Sequence, residues 1–246
     1  TGVSSWYVRT IPITDSSNNL TGYGNNIYLA GGVSASLATS TDTINWTLRT
    51  QAATLAHYNT LYVSPNYLIA AATGLYASTD TIAWTLRTSG TTTAFRLAYG
   101  NSTYIIGGTG VINTSTNGIQ WTLRTAGFTT QSQSVIFGTV PTNTYFAGGL
   151  TATLSTSTDA ISWTLRTASF AAQSVNTLIF GNSIYIAAGT AGVLNTSTNG
   201  IQWTLRTAGG TQAINTGSFG GSTYIIAGAS GILRSSTDGI TWSIRS

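Results

Sequence analysis

The chain has 246 residues and a formal net charge of +4 at pH 7, but only 6% of its residues are charged. Ordinary soluble domains have about 25% charged residues. The surface of this chain must therefore bind water mainly through the polar side chains of Thr, Ser, Asn and Gln. Lys, Glu and Cys are all absent, which excludes disulfides, thiolate metal sites and Schiff-base chemistry. The apolar fraction of 41% is enough for a large core.

A repeated segment organises the whole chain. Residues 113–127 and 195–209 share the same sequence, NTSTNGIQWTLRTAG. Weaker copies begin at four other serines: Ser40, Ser78, Ser157 and Ser236. A truncated copy, SSWYVRT, occupies residues 4–10. A tryptophan recurs every 37 to 42 residues, a period typical of solenoids, propellers and arrays.

Each full repeat has the pattern of four β-strands. Apolar and polar residues alternate with period two, β-branched and aromatic residues are enriched, and Gly or Asn marks the breaks. An aromatic residue closes the first strand and a Tyr opens the second, as with Tyr99 and Tyr104. In the third repeat the predicted strands are Arg96–Tyr99, Thr103–Gly108, Gly110–Ser115 and Trp121–Thr125.

These repeats predict an all-β fold, a single β-propeller of six blades with four antiparallel strands each. One four-stranded sheet cannot bury both of its faces, whereas radial stacking of sheets buries them and protects their edges. A solenoid would need polar capping repeats, and the terminal repeats are as apolar as the middle ones. The predicted blades span residues 11–50, 51–88, 89–125, 126–167, 168–207 and 208–246.

The stretch at residues 4–10 is predicted as an extra strand, because it matches the fourth strand of a blade. An unpaired apolar strand would be an exposed edge, which proteins avoid. We expect it to dock on the first or last blade. The alternatives are exchange into a neighbouring chain, which would make a homo-oligomer, and the remnant of a seventh blade, which would make a seven-bladed propeller.

The turn before each tryptophan resembles the Asp-box, or BNR repeat, of sialidases and other propellers. STDGITW, at residues 236–242, carries the resemblance, and all six full repeats share it. The usual pattern has one more residue between the Asp and the Trp, and Gly follows the Asp or Asn only at Gly118, Gly200 and Gly239. The resemblance implies a propeller and says little about function.

We predict a structural role for the polar residue of this turn and for the tryptophan after it. An Asp or Asn side chain accepts hydrogen bonds from N–H groups of the turn, and a Trp anchors the next strand by burying roughly 150–250 Å². The turn residues are Asp42, Asp80, Asn117, Asp159, Asn199 and Asp238. The tryptophans are Trp6, Trp46, Trp84, Trp121, Trp163, Trp203 and Trp242.

Catalysis is not expected. The sialidases that the repeat resembles use an arginine triad, a Tyr activated by a Glu, and an acid/base Asp, and glycosidases generally need two carboxyl groups. Four of the five Asp are assigned to turns, which leaves Asp15. His57, the single histidine, has no nucleophile-elbow motif near it. We therefore predict no catalytic residue, no cofactor and no metal.

Arginines recur three residues after the tryptophans. If the fourth strand of each blade is outermost, these side chains form a rim: Arg49, Arg87, Arg124, Arg166, Arg206 and Arg245. Their stems then pack on the blade while their heads bond to the turn Asp or to carbonyls. The alternative is a rim that binds an anionic surface partner. Nucleic acid is not expected as a partner, because the positive charge is spread rather than clustered.

Two functions of different classes remain. One is a binding module that attaches multivalently to a surface glycan or a protein receptor. The other is a structural component that assembles with other proteins of a phage tail, virion or surface layer. The Thr-, Ser- and Asn-rich composition resembles phage and bacterial surface proteins, which implies an extracellular or virion-surface location. Membrane insertion is not expected, because no stretch approaches about 20 apolar residues.

Overall fold

The computed structural model describes residues 11–13, 18–32, 36–49, 56–87, 96–125, 127, 130–166, 170 and 172–245. Its strands form six four-stranded sheets, and in each sheet antiparallel strands follow one another in chain order. The fold is therefore an all-β propeller of six blades, as the repeats predict. The extra strand expected at residues 4–10, with Trp6, lies outside the described residues, which hold six blades rather than seven.

The chain divides into two compact units, of which the first spans Thr1–Arg87 and holds two blades. The strands of the first blade are β1 (Asn18–Gly24), β2 (Ile27–Gly32), β3 (Leu37–Ser40) and β4 (Thr47–Arg49). Those of the second blade are β5 (His57–Val63), β6 (Asn66–Ala71), β7 (Gly74–Ser78) and β8 (Thr85–Arg87).

The second unit spans Thr88–Ser246 and holds four blades. The strands of the third and fourth blades are β9 (Arg96–Gly100), β10 (Thr103–Gly107), β11 (Val111–Ser115), β12 (Thr122–Thr125), β13 (Ser132–Gly138), β14 (Thr144–Gly149), β15 (Leu154–Ser157) and β16 (Thr164–Leu165). Those of the fifth and sixth are β17 (Val175–Gly181), β18 (Ile184–Gly189), β19 (Val193–Ser197), β20 (Thr204–Thr207), β21 (Ile214–Gly220), β22 (Thr223–Gly228), β23 (Leu233–Ser236) and β24 (Ser243–Ile244).

The third blade shows how the sequence pattern becomes strands. Its four strands agree with the predicted ones to within one residue at each end. Asn101 and Ser102 form the turn between β9 and β10 with φ of 44° and 58°, and two such positive angles suit the tight turn of a hairpin. The register sets Tyr99 opposite Tyr104, with ring centroids 4.6 Å apart. The aromatic pair thus marks the hairpin.

Buried tyrosine hydroxyls link neighbouring blades of the second unit. Tyr145, on β14, donates a hydrogen bond of 2.6 Å to the carbonyl oxygen of Gly100, the last residue of β9. The equivalent bonds run from Tyr185 to Val140 and from Tyr224 to Gly181. Loss of solvent at these positions raises the pKa of each hydroxyl, that of Tyr224 to about 12. The three tyrosines therefore stay neutral donors at physiological pH.

The close approach of neighbouring blades requires a small residue at the end of the first strand. A Cβ atom at Gly100 would overlap the ring of Phe137 in the next blade, and one at Gly181 would overlap Phe219. Neither glycine has a positive φ, so the requirement is for space and not for conformational freedom. The glycine after the aromatic residue thus sets the distance between blades.

The core of the second unit lies between its sheets. Ile105 and Ile112 of the third blade pack with Val135 and Tyr145 of the fourth, and each is at most 5% exposed. Because the inner strands fill this core, the fourth strand of each blade remains at the sheet edge, and most residues of β12 are exposed. The repeated polar residues of the sequence stand on and beside these edge strands.

Candidate functional site

The turn before each tryptophan is built around one side-chain oxygen. In the fourth blade, Oδ1 of Asp159 accepts hydrogen bonds of 2.8 Å from the N–H groups of Ser162 and Ile161 and from the hydroxyl of Ser157. The bonds from Ser162 and Ile161, followed by that from Ser157, lower the pKa of Asp159 to about 2, because they stabilise its charged form. Asp159 is therefore a carboxylate at neutral pH.

The other turns repeat this arrangement with either Asp or Asn. Oδ1 of Asn117 accepts bonds of 2.9 Å from the N–H groups of Ile119 and Gln120, so a neutral amide serves the turn as a carboxylate does. The next residue has a positive φ whether it is Gly118, at 71°, or Ala160, at 59°. The six turn residues are Asp42, Asp80, Asn117, Asp159, Asn199 and Asp238.

The tryptophan of each repeat packs beside the same turn. In the third blade, Nε1 of Trp121 donates a bond of 3.3 Å to the carbonyl oxygen of Gly118, and the indole lies edge-on to Tyr104 with centroids 6.3 Å apart. The side chain is half-buried, because it precedes an edge strand, so it anchors the strand through only part of its area. The same partial burial holds for Trp46, Trp84, Trp163, Trp203 and Trp242.

The arginine after each tryptophan is oriented by the neighbouring third strand. In the third, fourth and fifth blades the Nε–H groups donate to threonine hydroxyls, in the bonds Arg124 to Thr114 (3.0 Å), Arg166 to Thr156 (2.7 Å) and Arg206 to Thr196 (2.9 Å). A bond through Nε leaves the two terminal nitrogens, with four N–H donors, for other partners. The bond therefore fixes the orientation of the guanidinium group and leaves its terminal nitrogens able to bind another group.

The remaining arginines of the predicted rim follow the same rule with one exception. Arg49 donates to Thr39 and Arg245 to Ser235, both over 2.7 Å. Arg87 differs because Ala77 stands where the other blades have a hydroxyl. The buried Nε of Arg87 has no hydrogen-bond partner.

A groove lies at each of the three junctions between blades of the second unit. We name these the Arg124 groove, the Arg166 groove and the Arg206 groove, with volumes of about 270, 250 and 260 Å³. The third and fourth strands of one blade form one wall. The turn of the next blade forms the other wall and contributes an isoleucine to it: Ile161, Ile201 and Ile240, respectively.

Hydroxyl and amide groups dominate the lining of each groove. In the Arg206 groove these come from Thr196, Thr204, Asn199 and Gln202. Ile240, 42% exposed, adds an apolar side. Pockets for drug-sized ligands usually measure roughly 300–1,000 Å³, so each groove has room for one group the size of a single sugar unit. The site is thus a row of small, similar, amphipathic grooves.

A turn carboxylate lies in or beside each of the three grooves. Asp159 lines the Arg124 groove from the next blade and the Arg166 groove from its own blade. The Arg206 groove contains no acidic residue among those that line it in the described structure. Asp159 therefore adds a carboxylate to the lining of two grooves, and Asp238 accepts a 2.8 Å hydrogen bond from the N–H group of Ile240, which lines the third.

The other residues considered for catalysis do not form a site in the described part of the chain. Asp15 lies outside the described residues, and His57, on β5, is only 1% exposed. Within the ranges that the structure describes, no three His or Asp side chains come together in a group able to hold a metal ion. No helix in the described chain has the length and apolarity needed to span a membrane.

Sequence reasoning missed the apolar wall of the grooves. In the fourth, fifth and sixth blades the isoleucine two residues after the turn Asp or Asn lines the groove of the preceding blade, which the sequence does not reveal. A signal was nevertheless present, because the residue is identical in all six repeats and 42% to 58% exposed in each. These residues are Ile44, Ile82, Ile119, Ile161, Ile201 and Ile240.

Comparison with known proteins establishes the fold alone. No family model and no curated protein matches the sequence. Among solved structures, virginiamycin B lyase from Staphylococcus aureus is similar at 9% identity, with a TM-score of 0.83 over 94% of this chain and 85% of the lyase. The computationally designed Ika8 protein is similar at 12% identity, with a TM-score of 0.72 over 92% of this chain and 73% of that one.

An ancestral GH74 enzyme is also similar, at 15% identity and a TM-score of 0.72. The match covers 94% of this chain but only 37% of that enzyme. Two of the three structural relatives are enzymes and one is a designed protein, so the shared architecture carries no single function. Function has to be argued from the grooves.

Proposed function

We propose that the protein is a non-catalytic binding module that attaches through its grooves to a surface glycan. The observation that carries the proposal is the recurrence of one groove, 250 to 270 Å³ in volume, at three successive junctions. A polysaccharide presents similar units many times, and several weak sites that engage it together give high avidity. Hydroxyl and amide linings suit the many hydroxyls of a sugar.

The chemistry of the grooves favours binding over hydrolysis. Glycosidases place two carboxyl groups on either side of the bond that breaks, whereas the grooves contain at most Asp159. A general acid needs a pKa near the working pH, and the turn N–H groups hold the pKa of Asp159 at about 2. This carboxylate therefore cannot hold a proton at neutral pH.

A glycan-binding module of this kind acts where polysaccharides are displayed, and we place it on the outer surface of a cell or virion. The nearly uncharged, hydroxyl-rich surface supports this location, because it is hydrated without strong ionic interactions. A protein receptor is the alternative ligand, and it would have to match the spacing of the grooves along the blades.

The test combines a glycan array with titration calorimetry on the purified chain. We expect saturable binding to at least one surface polysaccharide, weakened by Ile201→Asn together with Ile240→Asn. Leu123→Asn is the matched control, because Leu123 is 55% exposed and lines none of the three grooves. Failure to bind any glycan, or equal affinity in the groove variant and the control, would refute the proposal.

A purely structural role in a phage tail, virion or surface layer is the second candidate. It is favoured by the leucine that stands two residues after five of the tryptophans, from Trp46 to Trp203, and is an exposed apolar side chain on an edge strand. In the second unit these are Leu123, Leu165 and Leu205, 55% to 57% exposed. Ordered assembly in sedimentation or electron microscopy, abolished by changing these leucines to Thr and unaffected by glycans, would support this role instead.

A further inference from the structure

We infer that the grooves select neutral sugar units over charged ones, and that Asp159 determines this preference in two of the three grooves. The inference rests on the proposed glycan binding and adds its ligand class. It follows from a pairing of charges, because each groove contains one arginine and has a turn carboxylate in its lining or beside it. Neither an anionic nor a cationic ligand therefore meets an unopposed charge.

The Arg124 groove shows this pairing most directly. Arg124 stands on the wall formed by the third blade, and Asp159 stands on the wall formed by the turn of the fourth blade. The bond from Nε of Arg124 to Thr114 orients the guanidinium and leaves its terminal N–H donors available. Oδ1 of Asp159 is occupied by the turn, whereas Oδ2 has no hydrogen-bond partner in the described part of the chain. One wall thus offers donors and the other offers an acceptor.

The other two grooves have the same pairing with the carboxylate in a different place. In the Arg166 groove, Arg166 and Asp159 both come from the fourth blade. Beside the Arg206 groove, Asp238 accepts a 2.8 Å bond from the N–H group of Ile240, which lines it. Backbone N–H groups hold the pKa of Asp159 and Asp238 at about 2, so both are carboxylates near neutral pH.

A neutral sugar can use both charged groups of a groove at once. Its hydroxyls donate as well as accept, so a sugar can donate to Oδ2 of Asp159 and accept from Arg124 without carrying a charge. Hydrogen bonds to ionised groups are roughly twice as strong as those between neutral groups. The isoleucine of the next blade, Ile161 in this groove, adds an apolar surface for the C–H face of the sugar ring.

Charged sugars lose by the same pairing what they gain. An anionic unit beside Arg124 is repelled by Asp159, and a cationic unit beside Asp159 is repelled by Arg124. The groove is about as wide as the Debye length at physiological ionic strength, about 8 Å, so salt weakens these repulsions without removing them. The turn carboxylates therefore argue against the anionic surface partner that the arginine rim alone suggests.

Two substitutions change the charge of the Arg124 groove in opposite directions. Asp159→Asn removes the negative charge and keeps the turn, because Asn117 accepts the equivalent backbone bonds in its own turn. Arg124→Gln removes the positive charge. Asp42→Asn is the matched control for the first change. It removes an equal charge, but Asp42 lines none of the three grooves and its Oδ2 already accepts a bond from Asn45.

Affinity is measured by calorimetry on the full chain with gluco-, manno- and galacto-hexasaccharides. Each is used as the neutral sugar, as its uronate with a carboxylate on every ring, and as its amino sugar. A hexapeptide of alternating Lys and Glu is the protein-like probe. We expect at least one neutral hexasaccharide to bind saturably and more tightly than its own uronate and amino forms.

The variants should move the affinities in opposite directions. Asp159→Asn should weaken binding of the neutral sugar about two- to tenfold, the difference between a charge-assisted and an ordinary hydrogen bond. It should strengthen binding of the matching uronate about two- to fivefold, as for other exposed charge pairs. Arg124→Gln should also weaken the neutral sugar, but it should strengthen the amino form instead of the uronate. Asp42→Asn should change none of these affinities.

The outcomes separate the inference from the proposed function. A uronate or amino sugar that binds more tightly than its neutral form, or an Asp159→Asn variant that behaves like the Asp42→Asn control, would overturn the inference and leave glycan binding intact. If only the glycan array yields a ligand, a charged glycan overturns the inference and a neutral one supports it. Binding of no saccharide in either experiment would overturn both. A hexapeptide that binds as tightly as the best neutral sugar would replace the sugar by a protein partner.

Discussion

The hydroxyl of Tyr145, in the fourth blade, donates a 2.6 Å hydrogen bond to the carbonyl oxygen of Gly100, in the third. Tyr145 is 1% exposed and packs in the core that the two blades share. Because the contact is buried, water cannot replace the hydroxyl when it is removed. The bond therefore joins two sheets that share no strand pairing.

Tyr145→Phe should lower the free energy of unfolding by about 0.5–1.5 kcal/mol, because it removes a buried hydrogen bond between two blades that water cannot replace. Urea denaturation of the purified variant measures this change. The control is Tyr23→Phe, whose hydroxyl bonds to Asn26 at an exposed position, and which should stay within about 0.5 kcal/mol of the parent. Equal stabilities of the two variants would show that the interblade bond contributes nothing.

Gly100→Ala should be destabilising by about 1–3 kcal/mol, the usual cost of overpacking, because its Cβ would overlap Phe137. Gly220→Ala is the matched control at the same position of the sixth blade. No described atom lies within 4 Å of a Cβ placed at Gly220, and Ala restricts the unfolded chain, so this variant should be neutral or more stable by up to about 1 kcal/mol. Thermal melting of both variants tests the pair, and a reversed order would contradict the packing argument.

The lowered pKa values of the turn aspartates predict that the folded chain loses stability in acid. Asp159 and Asp238 have a pKa of about 2 in the folded chain, against an ordinary value of 3.8. A lowered folded pKa contributes stability above the unfolded value, and the contribution is lost as pH falls from about 4 towards 2. Their bonds to backbone N–H groups, those of Ser162 and Thr241 first, are the cause.

The double variant Asp159→Asn, Asp238→Asn should therefore melt like the parent at pH 6 and lose less stability than the parent between pH 4 and 2. Amides keep the same turn bonds without titrating, as Asn117 shows. Urea midpoints across this pH range give the comparison. Parallel pH profiles of parent and variant would mean that these carboxylates do not govern acid unfolding.

Ala77→Thr should stabilise the first unit by about 1 kcal/mol, the net value of a hydrogen bond, because it supplies the missing acceptor for the buried Nε of Arg87. Thr fits this place, since Thr39 and Thr114 occupy it in other blades. The reverse change, Thr114→Ala, should cost about 1–3 kcal/mol by leaving the Nε of Arg124 unpaired. Chemical denaturation of both variants checks the opposite signs.

The fold could be predicted from the sequence because the patterns that specify it are local. Period-two alternation, the aromatic pair of Tyr99 and Tyr104 and the turn at Asn101 all act within one hairpin. The burial of the tryptophans was harder to predict, because a residue beside an edge strand is covered only on one side. Trp121 is therefore half-buried although its hydrophobicity predicts a fully buried anchor.

The candidate site could be predicted from the sequence only in part. The repeated spacing places Arg124 and Asn117 in one blade, and both line the same groove. The contribution of Asp159 to that groove comes from the next blade, about one repeat further along the chain. Only the packing of sheets brings the two together, so no spacing rule within a repeat reveals it. The same reason hides Ile161 from sequence reasoning.

Because each of the three grooves described in the second unit is shared by two successive blades, the number of grooves depends on the junctions between blades and not on the blades themselves. A single isolated blade would contain one wall of each of two grooves but no complete groove. Duplication of a blade, of the kind that the identical segments 113–127 and 195–209 suggest, adds one complete site at once, since the new copy brings an arginine wall and also supplies an isoleucine to its predecessor. Copying a blade thus adds a groove, and one substitution at a turn position such as Asp159 changes the lining of two neighbouring grooves together.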